Sequence, residues 1–329
     1  MAGLTDRFIH DDVFTHWRTH LEQIGPPEQP VTLPSGDELV ATLRYLAIPE
    51  EDIPDVVRLA PSPESDPDAW WYLERGVHSL GLFMGLVDKP PRVANLKDIN
   101  DPEYRLFYVH MFVAALPQAQ QYFRDRDIPD DIVRETLADL GRNVRVHRKR
   151  EGVGGLGVAF WLTLHFRGMI YQLGRLQFER SRVEVWGESM ATAMTPEPKP
   201  DDRVLSLHIP DFCGPMTPEA CDESIARAHE FFPRYFPEEP VRAGVCSSWL
   251  LDPQLKDYLD PESNIIRFQN RFRLVPGGYN VDNSIVQFVF GPVLTDPARL
   301  PRRSTLERAV AGHLEADKHW EGRVGWFPW

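Results

Sequence analysis

One stretch constrains this chain more than any other: residues 203–253, RVLSLHIPDFCGPMTPEACDESIARAHEFFPRYFPEEPVRAGVCSSWLLDP. It reads as strand, loop, helix, strand. Over residues 204–209 the alternation puts Leu205, Leu207 and Ile209 on one face and Val204, Ser206 and His208 on the other. Thr217-Pro218 is a helix start, with a hydroxyl at the N-cap and a proline at the first helical position. Asp222 and Glu223 add negative charge near the first turns, where the helix dipole favours it. Cys221, Ile225, Ala228 and Phe232 follow at helical spacing, so this stripe is expected to face a sheet, and Pro233 predicts the helix end. Residues 241–251 are the return strand, and a crossover helix makes the two strands parallel. Ligands of such units gather where strand ends meet the helix N-terminus, because free N–H groups point there. That predicts a cleft around His208, residues 210–216 and Thr217.

The rest of the chain is long enough to build around this unit. Its 329 residues suit one large domain or two ordinary ones, and 42% hydrophobic residues support a packed core. A net charge of −13 argues against nucleic acid, whose phosphates require a cationic face. Cys213, Cys221 and Cys246 show no paired spacing, so neither a zinc site nor a disulfide framework is expected. The opening MAGLTDRFIHDD lacks a basic segment followed by an apolar run, and no apolar run has membrane-spanning length. The expectation is a cytoplasmic protein acting on a small molecule, without a metal, membrane or nucleic-acid partner. The sequence leaves its oligomeric state open.

The first half reads as helical. Phe14, Trp17, Leu21 and Ile24 fall at helical spacing, and His16 and His20, one turn apart without a third ligand, read as a surface pair. Ser35 and Glu38 form a capping-box pattern before Leu39, Leu43 and Leu46. Glycines between Trp70 and Gly85 suggest close helix contact. Residues 102–116 are apolar almost all round, which predicts a buried central helix. Pro129 starts another helix, with Val133, Leu137, Leu140 and Val144 as its stripe. The cluster Arg142, Arg145, Arg148, Lys149 and Arg150, followed by Gly152, Gly154, Gly155 and Gly157, has two readings. One is a phosphate cradle. The other is a cationic helix C-terminus and a hinge between halves, which fits better because a phosphate loop follows a strand. The expected domains are therefore 1–152 and 153–329.

In the second half, residues 169–182 read as one long strand, with Leu176 and Phe178 on one face and Arg175, Gln177 and Glu179 on the other. Residues 183–186 are its expected hairpin partner. Ser304 and Glu307 form a second capping-box pattern, and aromatic residues 322–329 predict a docked terminal strand.

The strings LGRLQFE (173–179), LHIP (207–210), SWLLDP (248–253) and SNIIRFQ (263–269), in this order, resemble acyltransferase-domain proteins with a GNAT-like C-terminal domain. The resemblance implies an α+β or α/β class: a helical N-terminal domain followed by a GNAT-like mixed sheet flanked by helices. In that fold the sheet splays between two neighbouring strands. Acyl-CoA or acetyl-CoA lies in the splay, its pantetheine paired to a strand edge and its pyrophosphate held by the following loop and helix. By resemblance, residues 204–209 are the pantetheine strand, 210–217 the pyrophosphate loop and 241–251 the strand across the splay. Leu207, Ile209, Gly214 and Thr217 are then the cofactor-binding residues. The loop departs from the family pattern: it reads DFCGPMT, with one glycine and no cation.

Amine acylation requires a base for the amine and an acid for the thiolate. His208, ending a strand at the cleft, is the first candidate base and Glu179 the second. The resemblance adds Tyr258 as candidate acid. Arg175 and Gln177 are a candidate polar recognition strip if their face meets the cleft, and otherwise a solvated face. Trp249 and Asp252 are candidate walls of the acceptor pocket, or else a core tryptophan and a turn aspartate. The leading expectation is an acyl-CoA-dependent N-acyltransferase. One alternative is a GNAT-like binding or scaffold protein that has lost CoA. The other is a hydrolase using Cys246 and His208, although Cys246 lies in an apolar strand without a nucleophile-elbow pattern.

Overall fold

In the computed structural model the described residues are 3–87, 89–94, 101–194, 198–291 and 296–329. The chain divides into two units, Met1–Tyr171 and Gln172–Trp329.

The first unit contains nine helices among the described residues: α1 Leu4–Phe8, α2 Asp12–Ile24, α3 Gly36–Tyr45, α4 Ile53–Arg58, α5 Pro67–Leu82, α6 Phe107–Asp125, α7 Asp130–Leu137, α8 Asp139–Glu151 and α9 Ala159–Phe166. The apolar run predicted to be central is α6, buried on nearly every face over its first three turns. Trp17 of α2 packs against Tyr72 of α5 and Tyr108 of α6, with ring centroids 5.5 and 5.9 Å apart. Gly76 lets α5 approach α6, since a Cβ there would lie 2.6 Å from Met111 Sδ. Ser35 starts α3 without a side-chain cap bond, so the first capping box does not form.

Two members of the cation cluster form ordinary pairs within this unit. Arg142 bonds Glu135, and Arg148 Nε lies 3.1 Å from buried Asp52. Gly152 ends α8 in the left-handed region at φ +77°. Gly154 and Gly155 pack against Asp52 and His147. The glycine run therefore lies inside the first unit.

The sheet contains β1 Ile170–Leu173, β2 Leu176–Arg182, β3 Arg203–His208, β4 Val241–Ser248, β5 Arg273–Leu274, β6 Tyr279–Asn280 and β7 Glu321–Pro328. Strand order is β1-β2-β3-β4-β7-β5, with β6 on β7. The helices between these strands are α10 Gly187–Ala193, α11 Pro218–Tyr235, α12 Asn264–Gln269, α13 Asp282–Phe290 and α14 Thr305–Glu315. The sheet is mixed: β3 and β4 are parallel, while β2–β3 and β4–β7 are antiparallel. The terminal strand predicted from its aromatic content is β7. Ser304 and Glu307 form the second capping box as read.

Three local readings are corrected. Residues 169–182 are a hairpin, because Gly174 at φ +80° turns the chain between β1 and β2. Residues 183–186 are a 3₁₀ turn, not a strand partner. The helix after Thr217 also passes Pro233 and runs to Tyr235. The proline removes one bond from the last turns, while buried Phe231, Phe232 and Phe236 hold the backbone there.

Candidate active site

β3 holds its two neighbours differently. Its ladder with β2 runs from Arg182↔Arg203 to Gln177↔His208. Its ladder with β4 begins at Arg203↔Val241, shifts register between Arg203 and Val204, and ends at Ser206↔Val245. β4 continues to Ser248, where its partner is β7, paired out to Ser248↔Arg323. The β3–β4 ladder thus ends two residues before β3 does and three before β4 does. The sheet opens between β3 and β4 at the end where His208 stands.

Residues paired across strands share a face. Gln177, Glu179, Ser206 and His208 thus form one polar patch. His208 Nε2 is 2.8 Å from Glu179 Oε2 and 3.2 Å from Ser206 Oγ. The two side chains of the His208–Glu179 pair are 29% and 24% exposed, enough for a substrate to reach them while neighbouring strands hold their positions. A carboxylate only accepts, so Nε2 donates to it and Nδ1 is the basic nitrogen of the neutral ring. At the His208 end the opposite face is apolar: Leu176, Phe178, Leu205 and Leu207 are buried, and the Phe178 ring meets Phe232 of α11 edge-on at 6.4 Å.

The loop after β3 leads to α11. Ile209 is half-buried just past the strand, and Gly214 is exposed at φ +77°. Thr217 caps α11, its Oγ1 accepting from Ala220 N at 3.2 Å. Pro218 follows at the first helical position.

The other predicted residues spread over several surroundings. Arg175 occupies the turn between β1 and β2, not a strand face. Gln177 is buried opposite His208. Trp249 begins the 3₁₀ turn after β4 and packs against a cluster containing Leu255, Ile285 and Trp320. Asp252 is buried, and its carboxylate accepts from Gln254 N and Glu321 N at 2.9 and 2.7 Å. Tyr258 belongs to the Trp320 cluster, its hydroxyl 2.9 Å from His313 Nδ1. Cys246 is buried, its thiol pushed up to about 12 by desolvation. Since Val245 shares the face of Ser206, the Cys246 side chain points to the face opposite His208. That geometry removes the Cys246–His208 hydrolase. Ser206 is the residue that sequence reading missed. Its place beside His208 follows from alternation, but its bond to the ring depends on rotamer.

The GNAT-like C-terminal domain family matches residues 170–327, and the N-acyltransferase N-terminal domain family matches residues 37–168. An acyltransferase in complex with decanoyl-CoA is 38% identical, with a TM-score of 0.88, covering 98% of this chain and 97% of that one. The chain belongs to the two-domain N-acyltransferase family. A second member, an acyltransferase in complex with decanoyl-CoA and teicoplanin, is 39% identical at the same TM-score, with 98% of each chain covered. An acyltransferase variant in complex with octanoyl-CoA matches at 38% identity and TM-score 0.88, again over 98% of each chain. A search of curated proteins finds no match. This N-acyltransferase has no helix among the described residues long and apolar enough to cross a membrane.

Proposed function

We propose that this N-acyltransferase moves an acyl group from a CoA thioester to an amine, with the thioester lying between β3 and β4. The observation that carries this reading is the end of the β3–β4 ladder at Ser206↔Val245, beside the Glu179–His208 pair. A pantetheine arm completes the open β3 edge as an added strand, through the backbone at Leu207 and Ile209. Backbone N–H groups on that edge also steady the charge that develops on the thioester oxygen. Gly214 and Thr217 border the diphosphate.

His208 is the base in this reading. Its Nδ1 takes the amine's proton as the nitrogen attacks the carbonyl, and Glu179 holds the ring and stabilises the imidazolium. As the tetrahedral intermediate collapses, the C–S bond breaks and the imidazolium returns the proton to the thiolate. Glu179 is thus a positioning residue. Tyr258 and Asp252 are left out, because their polar groups already serve His313, Gln254 and Glu321. Gln177 and Trp249 remain acceptor-side candidates. Free cysteines and a CoA donor suit a cytoplasmic enzyme.

Octanoyl-CoA, decanoyl-CoA and teicoplanin in the related structures make these two donors and teicoplanin the first reactants to test. The experiment follows CoA release and amide formation by mass spectrometry. Amide product from the parent, reduced ~100-fold or more in His208→Ala, is expected. No CoA release across both donors and a panel of amines overturns the reading.

A further inference from the structure

The loop after β3 offers no cation to a diphosphate, and its one charged side chain is the carboxylate of Asp211. Residues 210–216 read PDFCGPM, and the α11 N-terminus supplies only N–H groups. A cation stands beside it from another element. The β2–β3 ladder ends at Gln177↔His208, and Arg175 lies two residues before Gln177, in the turn beyond that end. The backbone N–H groups of Arg175 and Leu176 both donate to Ser224 Oγ of α11, at 2.6 and 3.1 Å, which pins the turn to that helix. Gly174 permits the contact, since a Cβ there would lie 2.9 Å from the same oxygen.

The Arg175 side chain is only 9% exposed, and its Nε and Nη1 are buried without a hydrogen-bond partner. Asp211 and Cys213 of the loop and Cys221 on the first turn of α11 are its electrostatic neighbours. Burial holds the guanidinium below the ordinary arginine range. A buried cation with unmet donors is costly unless a ligand completes it. The neighbouring cation Arg271 is already committed, donating to Pro218 O at 3.1 Å and pairing with Asp222.

We propose that Arg175 anchors the diphosphate of the CoA donor, supplying from the β1–β2 turn the cation that the loop after β3 lacks. This rests on the acyl-CoA reading above. An arginine offers a planar fork of donors, suited to two phosphate oxygens at once. The site is thereby assembled from two elements, and the sequence motif of a single loop does not reveal it.

The test compares decanoyl-CoA with decanoyl-pantetheine, which carries the same thioester and no phosphate. In Arg175→Met, kcat/KM for decanoyl-CoA is expected to fall about 10- to 100-fold through KM, with kcat and all constants for decanoyl-pantetheine unchanged. Arg175→Lys keeps the charge and recovers part of the loss. The free Arg175→Met protein is expected to melt no lower than the parent. Equal losses with both donors, or none with either, overturn the proposal. So does a shared drop in Tm in Arg175→Met and Asp211→Asn, which would make Arg175 a structural partner of Asp211. A parent idle with both donors defeats the acyl-transfer reading, and the anchor with it.

Discussion

Glu179 and His208 meet diagonally across the β2–β3 ladder, Oε2 to Nε2 at 2.8 Å, because Glu179 pairs with Ser206 and His208 lies two residues further on. The carboxylate fixes which ring nitrogen carries the proton, and so which one is basic. Its removal leaves the imidazole in place without that control. Glu179→Gln is expected to lower kcat ~10-fold or more with KM for acyl-CoA unchanged, a smaller loss than in His208→Ala. Steady-state kinetics on the two variants checks this. Equal losses in both would make Glu179 a reacting group in its own right.

Cys246 lies inside β4 with its thiol held near 12 by burial, whereas Cys213 lies in the partly exposed loop after β3. Iodoacetamide at neutral pH is therefore expected to label Cys213 first and to reach Cys246 only in denaturant. Peptide mass spectrometry reads the order. Rapid labelling of Cys246 in the folded protein contradicts the packing described for β4.

His110 is wholly buried in the first unit, its Nε2–H donating to Val56 O at 2.8 Å. Burial lowers its pKa from 6.5 to about 4. Above 6.5 the ring is neutral whether the chain is folded or not, and its contribution is complete. Between 6.5 and 4 the unfolded chain binds a proton that the folded chain refuses, so stability falls as pH falls. The loss approaches about 3 kcal/mol at the lower end, at roughly 1.4 kcal/mol per unit. Urea unfolding of the parent and His110→Gln at pH 7, 5.5 and 4.5 tests it. The stability gap between the two proteins should shrink towards low pH, and a constant gap contradicts the assignment.

The unit around His208 was legible because its signals are local. Alternation marks β3, and Thr217-Pro218 marks the start of α11. The hairpin at Gly174 was hidden because apolar residues continue on both sides, and a positive φ leaves no mark beyond the glycine itself. Pro233 misled for the opposite reason: a local rule yielded to the burial of Phe231, Phe232 and Phe236. The opening between β3 and β4 was expected from resemblance alone. Where it starts depends on β2 and β7, which hold the two strands from their outer sides, and on the register shift at Arg203. Such pairing is non-local, and no window of sequence contains it. For the same reason Glu179 and His208 were each singled out, yet not as partners.

Hydrogen exchange across the two central strands tests the acyl-transfer account most directly. Amides of Leu205 and Gly244 lie in the closed ladder, while beyond Ser206 and Val245 the amides of β3 and β4 that are not bonded to β2 or β7 flank the opening. The edge of β3 towards β4 is expected to exchange fast beyond Ser206 in the free protein and to become protected when decanoyl-CoA is added, with Leu205 and Gly244 slow throughout. Full protection of that edge before any donor is added, unchanged by decanoyl-CoA, would mean that the strands are closed and that no thioester lies between them.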